Sequence, residues 1–126
     1  NFICPLDSYK YISCQYGSGG HKGVDFAAPG GTPIRAIAAG QVITSTYHSS
    51  YGNYVMVYHG TDDQGNTYAS LYAHMISTPA VSLSQAVAQG DVLGYVGSTG
   101  NSTGNHLHLE LRVNGARTNA LNYVPH

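Results

Sequence analysis

Hydrophobic and polar positions alternate without a break from His106 to Val113. Leu107, Leu109, Leu111 and Val113 fall on one side, and His106, His108, Glu110 and Arg112 on the other. A strand has a side-chain period of two, so this pattern predicts a strand with its leucines in a core and both histidines on the opposite face. The preceding Gly97–Asn105 stretch, rich in Gly, Ser, Thr and Asn, reads as a loop that delivers the chain into that strand. Further short strands are predicted at Ile34–Ile43 (two pieces around a glycine turn), Tyr54–His59, Tyr68–His74 and Val92–Val96. Asp62–Asn66 reads as a hairpin loop, and Asn114-Gly115 as a tight hairpin turn that closes the last strand. His21–Phe26 reads as a loop entering a short strand, because Gly23 and the Pro and Gly residues that follow oppose a helix. Only Ser84–Ala88 suggests a helical turn, and residues 1–20 show no sustained period. The expected class is all-β: antiparallel sheets in a sandwich or partly closed barrel, with long loops and little helix.

Composition narrows this picture. With 126 residues, the chain is expected to form one domain over residues 1–126, with residues 1–16 as an N-terminal segment. Sixteen glycines and eleven tyrosines fit short strands joined by tight turns. The net charge of −1 and only 9% charged residues give no basic patch, which argues against nucleic acid or an anionic membrane as partner. No apolar run reaches membrane-spanning length, so no membrane insertion is expected. The start at Asn1, without a charged-then-apolar leader, is that expected of a processed or excised piece of a longer protein. Cys4 and Cys14 are not spaced as a metal-binding or redox C-x-x-C pair. A disulfide between them, as in an extracellular protein, is the expectation, and two buried free thiols are the alternative.

Three separated pieces carry candidate chemistry: His21…Asp25, His74 after an alternating strand, and His106-x-His108. Each alone has an ordinary structural explanation, such as a turn residue or a solvent-facing position on a half-buried strand. Together, four histidines and a carboxylate suit a zinc site with nitrogen and oxygen ligands.

The stretches GGHKGVDFAAPGGTPIRAIAAGQVI, GNYVMVYHG, YASLYAHM and GDVLGYVGSTGNSTGNHLHLEL resemble, in order and spacing, the successive motifs of the lysostaphin-type (LytM-like) zinc endopeptidases. The resemblance runs over roughly residues 17–113. It implies a single Zn²⁺ held by His21, Asp25 and His108, with water in the fourth position, and His74 and His106 as non-ligand catalytic histidines. It also implies a substrate, the peptide part of bacterial peptidoglycan, and an extracellular or wall-facing location; a monomer is expected. The chemistry agrees with that division of labour. Three protein ligands, one anionic, leave zinc positive enough to acidify a water and polarise a carbonyl, and two imidazoles can move the protons. Asn53 matches a polar position near the family's site, or is a simple turn residue. Tyr16 or Tyr11 corresponds to an upstream tyrosine that assists some relatives. Glu110 reads as an exposed strand residue, with support of a metal ligand as the other reading, and His48, His59 and His126 read as turn or surface residues. A non-catalytic wall-binding or regulatory domain of the same fold is the main alternative, although such domains lack some of the five positions filled here. A non-haem iron oxygenase, with two histidines and a carboxylate on its metal, is a second. It leaves His74 and His106 unexplained.

Overall fold

The computed structural model describes residues 1–126 and contains ten strands. These are β1 (Tyr11–Cys14), β2 (Val24–Ala27), β3 (Pro33–Arg35), β4 (Gly40–His48), β5 (Gly52–Thr61), β6 (Thr67–Met75), β7 (Ala86–Val87), β8 (Val92–Tyr95), β9 (His106–Val113) and β10 (Ala116–Thr118). Helix is limited to two single 3₁₀ turns, Ser18–Gly20 and Ala120–Asn122. Eight strands form one sheet in the order β1-β2-β9-β6-β5-β4-β7, with β10 paired to β9, and β3 and β8 form a separate two-stranded sheet. Every pairing is antiparallel and neither sheet closes on itself. The predicted all-β architecture is therefore present as open antiparallel sheets.

The alternation in β9 does what its period requires. Leu107, Leu109 and Leu111 are fully buried in a core shared with Val24, Phe26, Val55, Val57, Tyr72, Ile34 and Leu93. Burying each such aliphatic side chain contributes about 1.5–3 kcal/mol. The opposite face of β9 is not exposed, however: His108 is 7% and Glu110 1% accessible. Alternation separates the two faces but does not say what covers each, and here Tyr51, Arg112 and Arg117 close over Glu110.

Two details differ from the sequence reading. Ser84–Ala88 contributes no helical turn; Ala86–Val87 forms the short edge strand β7 against Gly40 and Gln41. Cys4 and Cys14 are free thiols rather than a disulfide. The segment bearing Cys4 is tied to the β3 region by Ile3 N–H to Ile37 O (2.9 Å) and Arg35 N–H to Pro5 O (2.8 Å). Cys14, by contrast, is the register partner of Asp25 at the other edge of the same segment.

Candidate active site

Strand pairing decides which side chains meet. Asp25 on β2 is the cross-strand partner of His108 on β9, so both side chains rise from the same face. His21 enters from the loop before β2, where Gly17 N–H donates to His21 O (2.8 Å) and His21 N–H to Ser18 O (3.0 Å). One oxygen of Asp25, Oδ1, is 2.9 Å from His21 Nε2 and 2.8 Å from His108 Nδ1. The other, Oδ2, lies 3.6 Å from His106 Nε2. The sulfur of Cys14 belongs to the same neighbourhood: Cys14, His21 and Asp25 offer donor atoms within 4.8 Å of one another. At Gly23 an added Cβ would lie 2.6 Å from Leu109 O and 2.7 Å from His108 Cε1, so only glycine lets the chain pass beneath that ring.

His74 reaches the site through an irregularity. Ala73 pairs with His108, so strict alternation would turn His74 toward the core. Instead the β5–β6 register shifts between Asn53 and Val55, and His74 adopts a left-handed φ of 64°. That conformation costs a non-glycine residue about 1–2 kcal/mol. The bulge re-aims the imidazole into the groove while Met75 returns to the core. It is held by His74 N–H to Tyr51 O (2.7 Å), by Asn53 Nδ2 to Met75 O (3.3 Å), and by the Thr99 hydroxyl on the same Met75 carbonyl. Asn53 thus supports the site from behind.

The two remaining imidazoles are fixed alike. A carbonyl can only accept, so His74 Nδ1–H donates to Thr99 O (2.7 Å) and His106 Nδ1–H to Gly104 O (2.9 Å). In each ring Nε2 is left as the nitrogen for chemistry, and the ring centroids are 4.7 Å apart. Burial, reinforced by the neighbouring His106 and His108, holds the His74 pKa below the ordinary histidine value despite the Thr99 carbonyl. His74 is therefore neutral at pH 7, with a lone pair on Nε2.

Charge in the row is set by pairing. Burial alone would depress the His108 pKa, but the flanking Asp25 and Glu110 carboxylates push it up to about 9. Burial alone would raise Glu110, but His108, Tyr51 and Arg117 bring it down to about 2. Asp25 follows the same logic: His108, His106 and His21 overcome its burial and hold it below the usual carboxylate range. Without metal, the row is carboxylate, imidazolium, carboxylate.

All five positions singled out from sequence (His21, Asp25, His74, His106 and His108) line one groove of about 650 Å³. Glu110, Tyr51 and Arg117 line it as well; for Glu110 the sequence offers an exposed strand position or support of a metal ligand, and for Tyr51 and Arg117 no site role. Glu110 is buried rather than exposed, and the signal for it was available, since it shares the face of His108. Nothing local to Tyr51 or Arg117 pointed to the groove. Tyr11 is 61% exposed and the Tyr16 hydroxyl donates to Arg117 O (3.3 Å), and neither lines the groove. His48 sits on the groove rim, its Nδ1 accepting from Ser50 N–H (3.0 Å). His59 is half-buried within β5, not a turn residue, with Nδ1 on Ala39 O (2.9 Å) and Nε2 on Ser70 Oγ (2.7 Å). His126 is an exposed residue at the C-terminus.

Known proteins share both sequence and architecture. The chain is 43% identical over 101 residues to the peptidoglycan DD-endopeptidase ShyA of Vibrio cholerae, covering 80% of this chain and 22% of that protein. It superposes on a zinc-containing peptidase from Vibrio cholerae with a TM-score of 0.83 at 30% identity, over 95% of this chain and 39% of the other. Against the antimicrobial peptidase lysostaphin from Staphylococcus simulans the TM-score is 0.78 at 26% identity, over 95% and 52% of the two chains. The chain spans about a fifth of the length of ShyA and of the DD-carboxypeptidase/endopeptidase Mpg of Neisseria meningitidis. Residues 19–120, which include His21, Asp25, His74, His106 and His108, match Peptidase family M23, and the chain belongs to that family.

Proposed function

We propose that this domain is the zinc-dependent catalytic domain of an endopeptidase that hydrolyses peptide bonds in bacterial peptidoglycan, in a cross-bridge or a stem peptide. The observation that carries the reading is the convergence of His21 Nε2 and His108 Nδ1 on a single oxygen of Asp25, at the floor of a groove that also receives Nε2 of two further histidines. Two imidazoles and one carboxylate are the donor set of a catalytic zinc, and they leave a coordination position open. His21, Asp25 and His108 would hold one Zn²⁺, which when bound acidifies a water and polarises the scissile carbonyl.

The chain's own groups supply the rest. His74 is neutral, so its Nε2 can accept a proton from the attacking water. His106, with Nδ1 anchored on Gly104 O, presents Nε2 beside it for proton return to the leaving amine or a hydrogen bond to the oxyanion. Tyr51 is the only hydrophobic residue among those lining the groove, which suits an extended peptide with small or polar side chains rather than an apolar one. The names of relatives point the same way, since ShyA is a peptidoglycan DD-endopeptidase and a structural neighbour contains zinc. Because peptidoglycan lies outside the cytoplasmic membrane, the domain would act in an extracellular or wall-facing compartment. All five residues come from one chain, so a monomer suffices.

Replacing His106 by Ala tests the reading. The variant is expected to bind zinc stoichiometrically by elemental analysis and to lose cleavage of isolated cross-linked muropeptides. Zinc content falling to zero would make His106 a ligand, and undiminished cleavage would remove it from the chemistry.

A further inference from the structure

We propose that Glu110 is a positioning residue for the metal centre: it locks His108 in the tautomer that presents Nδ1, and it couples that ligand to the His74 bulge. The inference rests on the zinc reading given above. Glu110 follows His108 by two residues on β9, so both side chains emerge on one face, and it is 1% accessible. Its Oε2 accepts from His108 Nε2–H (2.9 Å) and from the Tyr51 hydroxyl (2.8 Å). Its Oε1 accepts from Arg117 Nε (3.0 Å) and Arg112 Nη2 (3.1 Å). A carboxylate offers about four lone-pair sites, and all of them are taken. The group therefore cannot rotate away without breaking several charge-assisted bonds in a buried place.

The consequence for His108 is geometric. In the metal-free protein each ring nitrogen faces a carboxylate, Nδ1 that of Asp25 and Nε2 that of Glu110. A metal held by Asp25 would take the place of the Nδ1 proton, while the buried Glu110 keeps the hydrogen on Nε2. The neutral ring then presents its one lone pair at Nδ1, where the proposed ligands converge. A half-turn of the ring would forfeit the bond to Glu110 and present carbon to the metal side. The two arginines give the carboxylate a countercharge, so that it can stay ionised while buried. Gly23 makes room for the pair, since a Cβ there would approach not only His108 but also Glu110 Cγ, at 3.0 Å.

Tyr51 extends the device across the groove. Its hydroxyl is held by Glu110, while its carbonyl accepts His74 N–H and so stabilises the strained bulge. Arg117 belongs to β10, which gives the closing hairpin a role in holding the site. Carboxylate partners of metal-ligating histidines typically change metal affinity by about 10–100-fold.

The test uses zinc-loaded wild-type protein together with Glu110→Ala and Glu110→Gln. Long-range ¹⁵N NMR on the wild type is expected to show His108 protonated at Nε2 and coordinating through Nδ1. Chelator competition at pH 9 is expected to give zinc binding about 10–100-fold weaker in Glu110→Ala, and a smaller loss in Glu110→Gln, which keeps an acceptor oxygen. Coordination through Nε2 in the wild type overturns the proposal without any variant having to fold. So does a folded Glu110→Ala with unchanged zinc affinity. Wild-type protein that binds no zinc overturns the underlying zinc reading, and this inference with it, which distinguishes the two failures.

Discussion

Zinc and a proton should compete for the same nitrogen of His108. Flanked by Asp25 and Glu110, its imidazole has a pKa near 9 in the metal-free protein, and its accessibility is only 7%. At pH 7 about one molecule in a hundred then has the neutral ring that a metal needs, and clearing the proton costs about 2.7 kcal/mol at 1.36 kcal/mol per pH unit. Apparent zinc affinity should therefore rise about tenfold from pH 7 to pH 8 and level off above pH 9, well beyond the ordinary histidine value of about 6.5. Asp25 adds no slope in this range, because its pKa is held below the usual carboxylate value. Chelator-buffered titrations from pH 7 to 9.5 measure the slope. Calorimetry at pH 7 in two buffers of different ionisation enthalpy should find about one proton released per zinc. An affinity flat between pH 7.5 and 9 with no proton release would show that the carboxylates do not hold His108 charged, and the electrostatic account of the row would fail.

Two further outcomes follow from the fold. Gly23→Ala should place a Cβ against Leu109 O and the His108 ring, costing about 1–3 kcal/mol of stability and weakening zinc binding, as read by thermal melts and chelator competition; an unperturbed variant would mean that the β2–β9 spacing is not constrained there. His59, half-buried with its pKa lowered by burial, is bound neutral in the folded state. Its contribution to stability is full above about pH 6.5 and is lost as the pH falls through that value toward the lower folded-state pKa. Denaturant midpoints at pH 7.5 and 5 should differ less in His59→Gln than in the wild type, and equal shifts would assign the acid sensitivity elsewhere.

How much of this was legible in the sequence differs by element. The central strand was readable because eight residues keep one period, and the same period put His106, His108 and Glu110 on one face. Strand β1 was not, since Tyr11–Cys14 is only four residues long and lies in a segment without sustained period. The side of His74 was not either. Alternation aims it at the core, and only a register shift, set by contacts from Asn53, Thr99 and Tyr51 in other parts of the chain, turns it round. Glu110 shows the same limit from another side. Its face followed from periodicity, but its burial depends on Tyr51, 59 residues away, and on Arg117 across a hairpin. The metal-site candidates were easier, because the ordered motifs that carry His21, Asp25, His74, His106 and His108 resemble those of a known family, although each pair alone is a weak signal.

Zinc-dependent cleavage of peptidoglycan peptides can be read from the fragments that the protein releases. Purified peptidoglycans with different cross-bridges are digested with zinc-loaded and with metal-stripped protein, and the soluble fragments are analysed by mass spectrometry. Fragments should be released only with zinc, with new amino and carboxyl termini at one peptide bond and intact glycan linkages. No fragments from any wall type by protein carrying stoichiometric zinc would contradict zinc-dependent cleavage, and would leave a domain that binds the wall without cutting it.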